Sequence, residues 1–376
     1  MNPRIYLSLA HMGGSEQKFI QEAFDTNWVV PLGPNVDAFE RSLSDYLSEG
    51  RYVVALSAGT AAIHLALLLS GVQADDEVIC QSFTFIASAN PIAYLGAKPV
   101  FVDSETDTWN MDPDLLEEAI QGRLHKTGKV PKAIVAVHLY GMPAKMAEIR
   151  KIADRYEIPV VEDAAEALGS VLNGQKCGAL GDFGILSFNG NKIITTSGGG
   201  ALVCRTEEQA TRAKFYATQA RDHAPHYQHS HIGYNYRMSN ICAGIGRGQM
   251  LVLEEHITRR RAIHRLYTDL LKDAPGITVM QSPSPHYDAN FWLTCIEIDS
   301  KITGKSREDI RLKMEANNIE TRPLWKPMHL QPVFSGATAY VNGTGERLFE
   351  TGLCLPSGSI LTDKEIQRVV DVIYDL

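Results

Sequence analysis

The sequence has no cysteines paired at metal-binding or redox spacing. Cys80, Cys177, Cys204, Cys242, Cys295 and Cys354 are scattered and form no CxxC unit. That argues against a zinc ribbon or a disulfide framework and fits free thiols in a reducing compartment. Long apolar runs are missing too. Ala61–Leu69, the most apolar stretch, is too short to span a bilayer and contains His64. The opening MNPRIYLSLAHMGG lacks an apolar core of signal-peptide length. A soluble, cytoplasmic protein with no membrane partner is the expectation. Positive charge is scarce: a net charge of −8 works against nucleic-acid partners, whose binding needs a basic surface to displace counterions. The nearest thing to a basic patch, Arg259, Arg260, Arg261 and Arg265, lies in a helical pattern and is read as a solvated helix face. There is no low-complexity segment and no repeat at solenoid spacing.

What is present has the period of an α/β protein. At 376 residues the chain exceeds what one core usually organises, so two domains are expected. Apolar strand-like runs at Val53–Leu56, Val78–Cys80, Pro99–Val102, Ala133–Val137, Val160–Val161, Ile185–Phe188 and Ala201–Val203 alternate with helical stretches such as AAIHLALLL and PAKMAEIRKIADRY. That alternation predicts a mostly parallel sheet with helices on both faces, with ligands beyond the carboxyl ends of its strands. After Asn240 the pattern changes. A helix is predicted over about 239–272, with Gly244, Gly246 and Gly248 near its start. No strand precedes these glycines, so a dinucleotide fingerprint fails its context and close helix packing explains them better. Strands at Ile277–Met280 and Phe291–Ile298, a helix at 306–317 and a last helix opened by Thr362 and Glu365 as a capping box complete a second unit. Residues 1–245 are assigned to a large domain and 246–376 to a smaller C-terminal α/β domain.

Three strand ends carry chemistry. In VVALSAGTAAIHLAL, a strand ends at Leu56 and Ser57–Thr60 lead into a helix, whose N-terminus suits a phosphate. A plain N-cap by Ser57 or Thr60 would explain the same residues. In IPVVEDAAEALGS, an apolar strand ends in Glu162 and Asp163; an acid there either caps the next helix or meets a ligand. In GDFGILSFNGNKIITTSGGGALV, Lys192 lies outside any charged neighbourhood, and desolvation favours the neutral amine of a lysine. Pyridoxal 5'-phosphate needs a lysine amine for its Schiff base, an acid for its ring nitrogen and a cradle for its phosphate. Lys192, Asp163 and the turn at Gly59–Thr60 supply these in turn.

The same segments resemble the DegT-type nucleotide-sugar aminotransferases of the fold type I (aspartate aminotransferase-like) scaffold. The likeness runs from GGSEQKFIQEAF and PLGPNVDAFE through SAGTAAIHLAL, QSFTFIASAN, HLYGMPAKM, EDAAEALGS and SFNGNKIITTSGGG to GYNYRMSN and TRPLWKPMHLQPVF. The SFNGNKIITTSGGG segment is similar to that of enzymes that aminate carbon 4 of UDP-linked 4-keto-6-deoxy sugars in bacterial glycan and protein-glycosylation pathways. The resemblance implies that Lys192 carries the cofactor and that Asp163 pairs with its ring nitrogen. It implies that Gly59, Thr60 and Ala61 bind the phosphate with Ser187 and Asn189, and that Phe85 stacks on the ring, although plain core packing would also explain an aromatic there. Asn235 would reach the phosphate of a neighbouring subunit's cofactor, making a homodimer part of the mechanism. Glu166 would sit by the cofactor's phenolic oxygen, where many relatives carry Gln or His; two adjoining acceptors repel, so a glutamate there must share a proton or use a water. Relatives that remove a sugar hydroxyl carry histidine in place of the lysine, so Lys192 implies amination.

The implied reaction is a ping-pong transfer from L-glutamate through pyridoxamine phosphate to a UDP-linked keto sugar of the 2-acetamido type. Arg237, Arg322, Trp325, Lys326 and His329 are candidates for holding the nucleotide sugar; each could equally be a surface charge or a packed ring. Amination at C3 or of another nucleotide-linked sugar, and a non-catalytic sensor on the same fold, are the rival readings. A nicotinamide-dependent oxidoreductase lacks a GxGxxG turn in the right context. The histidine-rich RDHAPHYQHSHIGYNYRM contains His223, His226, His229 and His231. Without a cysteine or carboxylate at ligand spacing it is read as a loop over the active site, with no metal.

Overall fold

The structure is a computed structural model that describes residues 3–47 and 50–375. An eight-stranded sheet runs, in spatial order, Tyr52–Leu56, Gly200–Cys204, Phe183–Ser187, Val160–Asp163, Ala133–Val137, Glu77–Gln81, Lys98–Val102 and Thr338–Tyr340. Only Gly200–Cys204 runs against its neighbours; the other contacts between adjacent strands are parallel. The strand Ala133–Val137 is buried along its whole length, as expected of a parallel strand covered on both faces. Ile63, Leu65 and Leu67 pack on one face. Leu116, Ile120, Ile149 and Ile152 pack on the other. Burying each such side chain contributes about 1.5–3 kcal/mol. The edge strand Thr338–Tyr340 comes from the C-terminal part of the chain and pairs in register with Val100–Val102.

A second sheet, Ile277–Val279, Thr294–Ile298, Gly352–Leu355 and Arg322–Pro323, is antiparallel throughout. Ile263, Tyr267 and Leu271 from the helix Leu253–Leu271, Ile310 and Met314 from Arg307–Ala316, and Ile366, Val369 and Val370 from Asp363–Tyr374 form its core. Thr362 and Glu365 make the expected capping box at the last helix.

Two expectations change. The helix predicted over 239–272 is broken into Asn240–Met250 and Leu253–Leu271, because Val252 leaves the helical region (φ −117°, ψ 7°). The basic cluster is not one solvated face. Arg260 is 1% exposed, Arg259 and Arg261 are half-buried, and only Arg265 is exposed. This helix packs Leu253 and Ile257 into one apolar cluster and Ile263, Tyr267 and Leu271 into another, so it buries more than one stripe and helical period alone could not assign these faces. The packing role of the glycines holds: a Cβ on Gly246 would sit 2.7 Å from the Phe39 ring, and one on Gly248 2.8 Å from Glu16 Cα.

Candidate active site

Strand alternation sends adjacent acids to opposite faces, and Glu162 and Asp163 divide accordingly. Glu162 accepts from Nε2 of His138 at 2.8 Å and from the amides of Gly178, Leu180 and Gly181, so it fixes a loop. Asp163 turns into a cavity of about 370 Å³ at the carboxyl ends of the strands. Ser88 Oγ donates to one of its oxygens at 2.7 Å and the amide of Ala165 to the other at 3.1 Å. Burial pushes its carboxyl above the usual range, against the pull of those two donors, Lys192 and His138. A cationic N–H in the cavity would relieve that cost.

Lys192 enters the same cavity from the turn after Phe183–Ser187 and is far from the solvated charge a lone lysine usually is. Its side chain is 13% exposed. Its Nζ lies 3.5 Å from Glu166 Oε1 and 4.1 Å from the centre of the Trp292 ring. The backbone before it is held by two donors on the Asn191 carbonyl, Ser8 Oγ at 2.8 Å and Trp292 Nε1 at 2.7 Å. Glu166 is buried and accepts from the Tyr140 amide at 2.7 Å. Burial raises its pKa and the nearby Lys192 opposes the rise. The nearby Asp163 adds to the rise, so the neutral form of this carboxyl is favoured relative to that of an exposed glutamate.

The third strand end leaves its helix open. Neither Ser57 nor Thr60 caps Gly59–Leu69; the N-cap is Ala58, and no side chain caps it. The amides of the first turn are therefore free for an anion. Glycine is required where strands crowd this turn, since a Cβ on Gly200 would lie 2.3 Å from Gly59 N. Gly59, Thr60, Phe85, Asp163, Glu166, Ser187, Asn189, Lys192 and Trp325 all line the cavity. Phe85 is 47% exposed, an apolar face left toward the opening. Ala61, the third residue of the helix, is buried and its side chain does not line the cavity.

The remaining candidates lie elsewhere. Asn235 is exposed, bridged to Thr218 and outside the cavity of its own chain. Arg237 pairs with Glu40 at 2.8 Å and donates to Ala55 O. Arg322 is 68% exposed beside Glu320 and lines a second hollow of about 490 Å³ that shares Asn191, Trp292 and Trp325 with the first. His329 is held between Ser82 Oγ (2.7 Å) and Glu346 (3.2 Å), and Lys326 is half-buried. In the histidine-rich loop, His229 Nδ1 lies 2.9 Å from Gln219 O and His231 stands edge-on to Phe215. Among the described residues, the cluster of potential metal donors is His138, Glu162 and Cys177, whose carboxylate already accepts three amides.

Sequence reasoning missed four residues. Ser88, three positions past Phe85, was findable from the turn it shares with that ring. Tyr140, at φ 54°, donates its amide to Glu166, and its hydroxyl oxygen accepts from the Trp325 amide at 2.8 Å. Trp292 and Asn191 belong to no motif of their own, and only tertiary packing brings Trp292 to Lys192.

A lysine amine, a buried acid in want of a cation and an open helix N-terminus can together hold an aldehyde, a ring nitrogen and a phosphate. The site and the scaffold are those of a pyridoxal-phosphate enzyme of fold type I. Residues 11–374 match the model of the DegT/DnrJ/EryC1/StrS aminotransferase family, and the chain belongs to that family of sugar aminotransferases. It is 51% identical to EpsN of Bacillus subtilis (strain 168), which bears the name of a pyridoxal phosphate-dependent aminotransferase, over 100% of this chain and 96% of that one. It is 35% identical to GDP-perosamine synthase of Caulobacter vibrioides, over 98% and 97%. The solved structure of DesI in the presence of its TDP-sugar product superposes with a TM-score of 0.88 at 28% identity, covering 99% of this chain and 93% of that one.

Proposed function

We propose that the chain moves the amino group of L-glutamate to the C4 keto group of a UDP-linked 4-keto-6-deoxy sugar of the 2-acetamido type, as a cytoplasmic homodimer serving glycan or protein-glycosylation pathways. Pyridoxal phosphate, when bound, supplies a carbonyl that takes up the amino group and an electron-poor ring that holds the electron pair of the deprotonated substrate carbon. In this reading Lys192 bonds the cofactor and its Nζ then moves the proton at the substrate carbon. Asp163 keeps the ring nitrogen protonated, and Glu166 donates to the phenolic oxygen. The amides of Gly59, Thr60 and Ala61 hold the phosphate with Ser187 and Asn189, and Phe85 covers the ring.

The observation that carries the substrate class is the second hollow. An amino acid needs only the space beside Lys192. The adjoining 490 Å³ has Arg322 and its ion-pair partner Glu320 at the rim. Among the described residues the buried Trp325 Nε1 has no hydrogen-bond partner. This gives room and a free donor for a sugar joined to a diphosphate, whose phosphates would take Arg322 from Glu320. Arg237, Lys326 and His329 are then left to hold the fold around the site. The outward position of Asn235 supports a dimer in which it serves the other subunit's phosphate. The amide of Ser57 also donates to Tyr236 O at 2.8 Å, which ties the Asn235 segment to the phosphate turn. No described helix is long and apolar enough to cross a membrane.

A second reading, amination of a GDP-linked 4-keto sugar, is favoured by the likeness to GDP-perosamine synthase. Incubating the enzyme and L-glutamate with UDP-, GDP- and TDP-linked 4-keto-6-deoxy sugars, and locating the new C–N bond by NMR, separates them. Turnover of the UDP sugar with the bond at C4 is expected. Preference for the GDP sugar, or a bond at C3, overturns the assignment.

A further inference from the structure

Arg260 is a buried cation with no acid beside it. Its guanidinium donates to the carbonyls of Trp292 and Ser357 (3.1 Å to the latter) and to Ser8 Oγ at 2.9 Å. Among the described residues it makes no salt bridge, and burial pushes its pKa down to about 9, which still leaves it charged at neutral pH. Burying an unpaired charge is costly, and an apolar side chain of similar size often packs in such a place at less cost. The acceptors of Arg260 suggest what the charge is for.

Ser8 Oγ and Trp292 Nε1 both donate to the same atom, the carbonyl oxygen of Asn191, the residue before Lys192. The Trp292 ring is also the surface that Nζ faces at 4.1 Å. One helical turn before Arg260, His256 places Nδ1 3.3 Å from the carbonyl of Ile193, the residue after Lys192. Gln249 Oε1 accepts from the Thr195 amide at 3.1 Å. The lysine is thus bracketed on both sides by groups from the helices Asn240–Met250 and Leu253–Leu271 and from the N-terminal segment.

We propose that Arg260 is a positioning residue for Lys192: by fixing Ser8 and Trp292 it sets the Asn191 carbonyl and the indole against which the lysine amine is aimed. This rests on Lys192 being the cofactor lysine. Arg260→Lys keeps a cation but loses the planar fork that reaches three acceptors. Ser8→Ala cuts one link at a half-buried residue.

The test uses holoenzyme loaded with pyridoxal phosphate and four chains: Ser8→Ala, Arg260→Lys, the double variant and Lys192→Ala. The readouts are the pH midpoint of the visible absorption band, visible circular dichroism, the rate of the half-reaction with L-glutamate, and Tm. Both single variants are expected to move the pH midpoint and to slow the half-reaction on the order of tenfold at unchanged KM. The double variant should be no slower than Arg260→Lys, because the two act along one path. Ser8→Ala should keep its Tm within about 2 °C. Wild-type midpoint, dichroism and rate in the variants would reduce Arg260 to packing. If Arg260→Lys does not fold, Ser8→Ala alone decides. Lys192→Ala retaining the visible band would instead remove the lysine assignment itself, an outcome separate from the others.

Discussion

The carboxyl edge of the large sheet and the core of the small antiparallel sheet bury polar groups equally deeply but use them differently. Around the small sheet the large buried polar side chains Tyr267, His264 and Arg260 each reach a backbone carbonyl, and hydroxyls such as Thr294 Oγ1 are among the buried groups left over. Tyr267 donates to Pro356 O at 2.9 Å, His264 lies 2.8 Å from Met280 O, and Arg260 donates to the carbonyls of Trp292 and Ser357. At the edge of the large sheet the groups are left short. Among the described residues Asp163 has two hydrogen-bond donors and makes no salt bridge, Trp325 Nε1 has no partner, and the helix at Gly59 has no side-chain cap. Satisfied polar groups make a rigid wall, and incompletely satisfied ones make a site that a ligand completes.

The comparison can be broken most sharply at Lys192. Lys192→Ala should cut transamination by at least about 10³-fold and abolish the visible band of the loaded enzyme, while far-UV circular dichroism stays unchanged. Asp163→Asn comes next: a loss of roughly 10²-fold in kcat, with an apoprotein Tm equal to or above wild type, since the variant removes a carboxylate whose ionised form burial disfavours. A lowered Tm there would mean that the acid belongs to the satisfied class.

The two regions should also respond oppositely to pH. His264 is 3% exposed, and burial lowers its pKa to about 4, below the usual value near 6.5. Between these values the unfolded chain binds a proton that the folded chain refuses, so stability is present above about pH 6.5 and is lost as pH falls toward 4. The loss is worth about 3 kcal/mol. Burial of Asp163 and Glu166 works in the other sense. Their raised folded pKa values make the apoprotein lose stability as pH rises through them. Urea unfolding of the apoprotein at a series of pH values, with His264→Asn and Asp163→Asn, checks both: the first should flatten the acid limb and the second the opposing one. The smallest effect is expected at the rim, where Arg322→Ala should raise the sugar-nucleotide KM about tenfold at little changed kcat. An unchanged KM would detach the second hollow from substrate binding.

Much of this was legible in the chain. The seven strand-like runs stand where local pattern placed them, and the turn at Gly59–Thr60, Asp163 and Lys192 line one cavity at or just beyond strand ends whose period is written in consecutive residues. The broken helix at Val252 and the burial of Arg260 were not legible, because helical period records only one apolar face. Whether Ser57 or Thr60 caps Gly59–Leu69 was left open for a related reason: both are good cap formers, and only the folded turn leaves their side chains out of the cap.

The sequence by itself determined the alternation of strands and helices, the ends at which ligands gather and the residue types able to hold pyridoxal phosphate, since backbone sterics and hydrophobic period act over a few neighbouring residues. Tertiary structure alone decided which of two adjacent acids meets the cavity, that Asn235 points away from its own site, and how the lysine is aimed. The links that aim it join Ser8 to Asn191 across 183 positions and Arg260 to Ser8 across 252, and no local pattern encodes a hydrogen bond between residues so far apart.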